Sequence, residues 1–150
     1  MTESLTVETQ RAWVDVDLGA VVANARAFQA MAGAPLLPML KANGYGLGAI
    51  PLARALARVN PWGFGVATVE EGDELRHHGV ALPVLVFTPL LPALAPACLA
   101  ADLRPAIGDL AALEAWVSLS DAPFHLEIDT GMRRSGVPWD DAGALERVRA

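Results

Sequence analysis

The sequence predicts an α/β fold, the N-terminal part of a (β/α)8 TIM-barrel domain, from three observations. Short apolar runs of strand length alternate with longer helix-like segments, the pattern of parallel βαβ units. The strand-length runs are apolar almost throughout, as strands covered on both faces are. The alternation stops at Ala150 inside a helix-like stretch with no Gly, Pro or polar tail to close it. About five βα units are therefore expected here, where a closed barrel needs eight and about 250 residues. An open doubly wound sheet is the alternative that five strands would also suit.

Taken in order, RAWVDVD (11–17) reads as a short N-terminal strand, with Val14 and Val16 on one face and Asp15 and Asp17 on the other. LGAVVANARAFQAMAG (18–33) reads as an amphipathic helix closed by Gly33. PLLPML (35–40) has the length of a buried strand, and AIPLARALARV (49–59) returns to helix. GFGVAT (63–68) is strand-like. VEEGDELRHHG (69–79) is helix-like, with Glu70 and Glu71 suiting its N-terminus and Gly79 its stop. ALPVLVFT (81–88) is the clearest buried strand. ALAPACLAA (93–101) is a weak helix that Pro96 should interrupt. LRPAI (103–107) is a strand, DLAALEAWVSL (109–119) a helix, and FHLEID (124–129) the next strand. The last helix, 139–150, should be capped by Asp140 or Asp141. No linker or charge run divides the 150 residues, so one domain is expected, with no part of a second one.

Composition narrows the function. The chain is 53% hydrophobic with a net charge of −6, which suits a packed core and argues against a nucleic-acid backbone as partner. No long uninterrupted apolar run suggests a membrane span, and the polar start MTESLTVETQR is unlike a secretory signal. The single cysteine, Cys98, reads as a small buried hydrophobe. Together these point to a cytoplasmic protein with a small-molecule partner.

Two stretches carry chemistry. In LPMLKANGYGLGA (37–49), Lys41 is the only lysine and Tyr45 the only tyrosine of the chain. Lys41 ends a strand-like run, at the C-terminal face where ligands sit in parallel α/β folds. An amine there can form a Schiff base with an aldehyde, most often pyridoxal 5′-phosphate. The three glycines that follow let backbone approach a ligand, and the Tyr45 hydroxyl can meet a phosphate or carboxylate. The plain alternative is a surface lysine beside a flexible turn. In HLEIDTGMRRSGV (125–137), Asp129 or Thr130 could cap backbone amides. Either Arg133 or Arg134 could present a guanidinium to a phenolate or carboxylate. A solvated basic turn paired with Asp140 or Asp141 explains those arginines equally well. His77 and His78 suit a helix C-terminus and lack a third ligand in sequence, so no metal site is expected. His125 reads as structural.

KANGYGLGA resembles the lysine motif of the alanine racemases, and HLEIDTGMRRSGV resembles their second signature. RAWVDVDLGAVVANARAF, VEEGDELR and the spacing between motifs also fit, so the resemblance spans essentially the whole chain. It implies an N-terminal (β/α)8 barrel followed by a C-terminal β domain. It further implies a homodimer that uses pyridoxal 5′-phosphate to interconvert L- and D-alanine, supplying D-alanine for peptidoglycan. Lys41 matches the lysine that bears the cofactor and serves as one of two bases. Tyr45 matches the tyrosine at the cofactor phosphate. Arg134, rather than Arg133, matches the arginine near the pyridoxal oxygen and the substrate carboxylate. The second base in the family is a tyrosine of the other subunit's C-terminal domain. One position departs from the pattern: Glu127 stands where many members carry a carbamylated lysine. Its carboxylate would supply a comparable charge, and the expectation is that Glu127 pairs with Arg134. The isolated 150 residues are expected to be poorly stable and inactive. The competing readings are a non-racemising pyridoxal-phosphate carrier and a non-enzymatic interaction module.

Overall fold

The structure, a computed structural model, describes residues 12–149. Its centre is a parallel sheet in which each strand neighbours the next in sequence. The extended segment 35–40 lies beside β1 (Phe64–Val66) through a parallel bridge between Met39 and Gly65. Leu40 N donates to Gly65 O at 2.7 Å, and Gly65 N donates to Pro38 O at 2.9 Å. Pro38 can accept from β1 but has no N–H to extend the ladder, which keeps the pairing short. β1 pairs with β2 (Val84–Val86), Phe64 opposite Val84. β2 pairs with β3 (Arg104–Ile107), and β3 with β4 (His125–Leu126), Ala106 opposite His125. Every pairing is parallel. A doubly wound sheet reverses its strand order at a switch point; this order, β1-β2-β3-β4, does not reverse. The architecture is the opening part of a barrel.

The helices start and stop where local chemistry directs. α1 (Leu18–Ala32) is capped by Asp17, whose carboxylate accepts from Ala20 N at 2.9 Å, and ends at Gly33 with φ 64°. α2 (Lys41–Tyr45) is a single left-handed turn described below. α3 (Ala49–Leu56) continues into a 3-10 turn, Ala57–Val59. α4 (Val69–His77) begins with a capping box formed by Thr68 and Glu71. α5 (Ala95–Ala100) follows a 3-10 turn, Pro92–Leu94. Pro96, expected to interrupt this helix, instead occupies its first turn, where a missing N–H is no loss. α6 (Leu110–Leu119) is capped by Asp109. For α7 (Ala142–Arg149), Asp141 is the acceptor, taking Ala144 N at 2.9 Å.

The sheet has two unlike faces. Phe64, Val66, Val84, Val86 and Ile107 point outward under the helices and are at most 2% exposed. Trp116 of α6 is fully buried, its indole N–H donating to Ala122 O at 2.9 Å. The alternate residues Met39, Leu85, Phe87, Ala106 and His125 line the concave face. At the opposite end of the strands Arg76 ties loops together, its guanidinium donating to the carbonyls of Val80, Leu82, Ala101 and Asp102 at 2.6–3.3 Å.

Two expected strands differ. Residues 12–17 form no strand, and Arg11 lies outside the described residues. Trp13 and Val14 are exposed there, and no described segment pairs with their backbone as a strand must. The strand expected over 124–129 is split at Glu127. His125–Leu126 stays in the main sheet, while β5 (Ile128–Asp129) pairs parallel with β6 (Val137–Pro138). No described helix is long and apolar enough to cross a membrane. Among the described residues no three His, Cys, Asp or Glu side chains cluster as a metal site would require.

Candidate active site

Lys41 sits where the 35–40 segment leaves the sheet, at the C-terminal end of the parallel strands. The chain then turns left-handed. Ala42 (φ 53°, ψ 48°), Asn43 (φ 51°, ψ 47°) and Gly44 (φ 64°, ψ 39°) are followed by Tyr45 at φ 56°. Such a turn costs about 1–2 kcal/mol for each residue that bears a Cβ, so three non-glycine residues there need support. It comes from backbone bonds, Gly44 N to Leu40 O at 2.8 Å and Gly46 N to Ala42 O at 3.0 Å. Two side chains add to it. Asn43 Oδ1 accepts from Ala49 N at 2.9 Å, capping α3, and Glu71 Oε1 accepts from Ala42 N at 2.7 Å. Gly44 suits the turn: a Cβ there would press within 3.2–3.3 Å of the Ala49 backbone. Tyr45 is 62% exposed, with its ring centroid 5.9 Å from Lys41 Nζ.

The second stretch is organised by Asp129. Its Oδ1 accepts from Gly131 N at 2.9 Å and Arg133 N at 3.0 Å. These backbone bonds, from Arg133 first and then Gly131, hold its carboxyl below the usual aspartate range. Asp129, not Thr130, is thus the acceptor that shapes the turn. Arg133 takes φ 54° and is exposed, and Arg134 turns to the concave face.

A cavity of about 540 Å³ opens on that face, bordered by Lys41, Phe87, His125, Glu127, Arg134 and Ser135. Its size is that of a small-molecule site. It brings Lys41, Glu127 and Arg134 to one place although they are scattered over 93 residues (134 − 41). Tyr45 is beside Lys41 but is not part of the cavity wall.

The expected ion pair between Glu127 and Arg134 is not formed. Glu127 Oε1 accepts instead from the Ser135 hydroxyl at 2.7 Å, and the buried Oε2 has no partner among the described residues. The cause is register: Ile128 lies opposite Val137, and Val137 N donates to Glu127 O at 2.8 Å. That pairing draws residues 135–136 against Glu127. Ser135 and Glu71 are site residues that the sequence did not reveal. The S/T-x-x-E spacing of Thr68 and Glu71 signals a helix cap, but nothing local shows that Glu71 also reaches the lysine turn 29 residues away.

The arrangement offers an amine, a guanidinium and a carboxylate around one cleft, a donor set that fits pyridoxal phosphate. The amine can join the aldehyde, and the guanidinium can face an anionic oxygen. A model of the family described as "Alanine racemase, N-terminal domain" matches residues 16–150. The chain belongs to the alanine racemase family.

Within that family it is 42% identical over 149 residues to the alanine racemase of Symbiobacterium thermophilum, covering 92% of this chain and 38% of that protein. It is 34% identical over 150 residues to the alanine racemase of Nostoc, covering 93% of this chain and 39% of that one. The fold superposes on a crystal structure of alanine racemase from Oenococcus oeni with TM-score 0.81 and 31% identity, covering 97% of this chain and 38% of that one. On alanine racemase from Bartonella henselae, solved with covalently bound pyridoxal phosphate, the TM-score is 0.78 at 26% identity over 89% of this chain and 38% of that one. The chain therefore spans less than two-fifths of the length of these alanine racemases.

Proposed function

We propose that the complete protein carrying this chain is a pyridoxal-phosphate-dependent alanine racemase and that Lys41 bears the cofactor. The observation that supports this best is the cavity at the strand ends that Lys41 shares with Arg134 and Glu127. When bound, pyridoxal phosphate supplies an aldehyde for an amine and a ring that accepts the electrons left at a deprotonated α-carbon.

The chain's own residues then divide the work. The Lys41 amine would hold the cofactor, and the same amine, when free, could move a proton at the substrate α-carbon. Arg134 would hold an anionic oxygen of the cofactor or of the substrate carboxylate. Glu127, whose Oε2 has no partner among the described residues, borders the same cleft as Arg134 and would supply a negative charge there. Tyr45, adjoining Lys41, would offer its hydroxyl to the cofactor phosphate. Racemisation needs a base on each face, and Lys41 serves only one. The second is assigned to the other subunit of a homodimer. D-alanine for cell-wall synthesis is the product assigned to the reaction, and the cytoplasm is the proposed compartment.

The test uses the full-length protein. Addition of pyridoxal phosphate should give an absorbance band that borohydride abolishes, leaving a stable label on the peptide containing Lys41. Incubation with L-alanine should produce D-alanine by chiral chromatography. Label without D-alanine would make the protein a cofactor carrier, and no label at Lys41 would end both readings.

A further inference from the structure

We propose that Glu71 is a positioning residue for Lys41, acting through the backbone of the left-handed turn. The inference rests on the reading of Lys41 as the cofactor-bearing residue.

One carboxylate serves two loops. Oε1 accepts from Ala42 N at 2.7 Å, while Oε2 accepts from Ala67 N at 2.7 Å and Thr68 N at 3.4 Å. Ala67 and Thr68 follow β1 directly, and Ala42 follows Lys41 directly. A helix cap needs only the reciprocal pair, Glu71 N to Thr68 Oγ1 at 3.3 Å and the carboxylate back to Thr68 N. The bond to Ala42 is additional to that cap.

Its effect falls on Lys41. On the N-terminal side, Leu40 N is fixed to Gly65 O at 2.7 Å. On the C-terminal side, Ala42 N is fixed to Glu71. Rotation of the Lys41 backbone would break one or the other. Ala42 is also a Cβ-bearing residue at φ 53°, a conformation that relaxes unless something holds it. A charged acceptor on its amide holds it more strongly than a neutral one would. Glutamine cannot replace this carboxylate: it has a single acceptor oxygen, and its NH2 group would face either the Ala42 amide or those of Ala67 and Thr68.

The experiment compares full-length wild type with E71Q, T68A and the double variant A42G/E71Q. Amide exchange at Ala42 is measured on cofactor-free protein, and pyridoxal phosphate affinity by absorbance titration. E71Q should speed exchange at Ala42 and weaken cofactor binding, each by about tenfold or more. T68A removes the hydroxyl cap alone and should match wild type in both. A42G/E71Q should recover part of the lost affinity, because glycine adopts φ 53° without steric cost. Wild-type exchange and affinity in E71Q, or identical behaviour of E71Q and T68A, would overturn the proposal. Should E71Q not fold, E71D is read instead. It keeps the charge but is one methylene too short to span both loops, and full protection of Ala42 in it would count against the proposal. Wild type that takes up no cofactor defeats the functional reading, and the exchange comparison still decides the role of Glu71.

Discussion

Glu127 keeps one carboxylate oxygen on Ser135 and leaves the other buried without a partner among the described residues, a state that costs free energy unless a cation or donor answers it. Replacing it by glutamine preserves shape and the Ser135 contact but removes the charge from the cleft it shares with Arg134. E127Q in the full-length protein should lower kcat about tenfold or more with little change in the unfolding midpoint. Equal turnover by the two proteins would leave the carboxylate without a role. Cys98 behaves differently. It is fully buried, and burial pushes its thiol up to about 11 from 9.0. Because the folded state keeps its proton longer, this stability is present below pH 9.0 and is lost as pH rises towards 11. Native protein should react with a thiol reagent only as fast as it opens, and Cys98→Ala should weaken the alkaline loss of stability. Rapid labelling of the folded protein would contradict this. The burial of Cys98 was legible from LAPACLAA; the Ser135 partner of Glu127 was not, because it depends on how β6 registers against β5.

At the level of elements, the segment from Glu127 to Pro138 shows where local pattern runs out. FHLEID has strand composition, yet its ladder changes partner at Glu127, from β3 to β6. The crossing is tight. A Cβ on Gly136 would lie 2.7 Å from Asp129 N, and its φ of 108° is one that other residues avoid. Gly136→Ala should therefore destabilise the protein by about 1–3 kcal/mol, read from denaturant midpoints. It should also weaken pyridoxal phosphate binding, because Arg134 and Ser135 are carried on the same turn. A variant with unchanged midpoint would show that the turn adapts freely. Pro96 teaches a related lesson. Read alone it breaks a helix, but placed in the first turn it begins one, and only the preceding 3-10 turn at Pro92–Leu94 reveals which.

For the molecule as a whole, the two faces of the sheet differ in what covers them. The outer face is sealed by helices. The concave face leaves Phe87 44% exposed and His125 open, stacked edge-on against Trp62 at 5.6 Å. Arg104 lies over the same indole at 5.1 Å, so cation and aromatic share an inner layer. In a closed barrel such a face is filled by side chains from the remaining strands. Produced alone, the 150-residue chain should bind a hydrophobic dye through this face and show no measurable racemisation by chiral chromatography. Robust turnover by it would mean that both bases lie within these residues.

What the sequence determined by itself was the βα alternation, a cap at Asp140 or Asp141 for the last helix, the stop at Gly33 and the two motifs around Lys41 and Arg134. All of these depend on neighbours within a few positions, through hydrogen-bond reach and the periodicity of buried side chains. What only the tertiary structure decided was the unreversed strand order, the shared cavity, the exchange of Arg134 for Ser135 at Glu127, and the span of Glu71 from its own helix to the lysine turn. Each of these is a contact between segments separated in sequence or set by strand register. Such contacts exist only after the strands have chosen their partners.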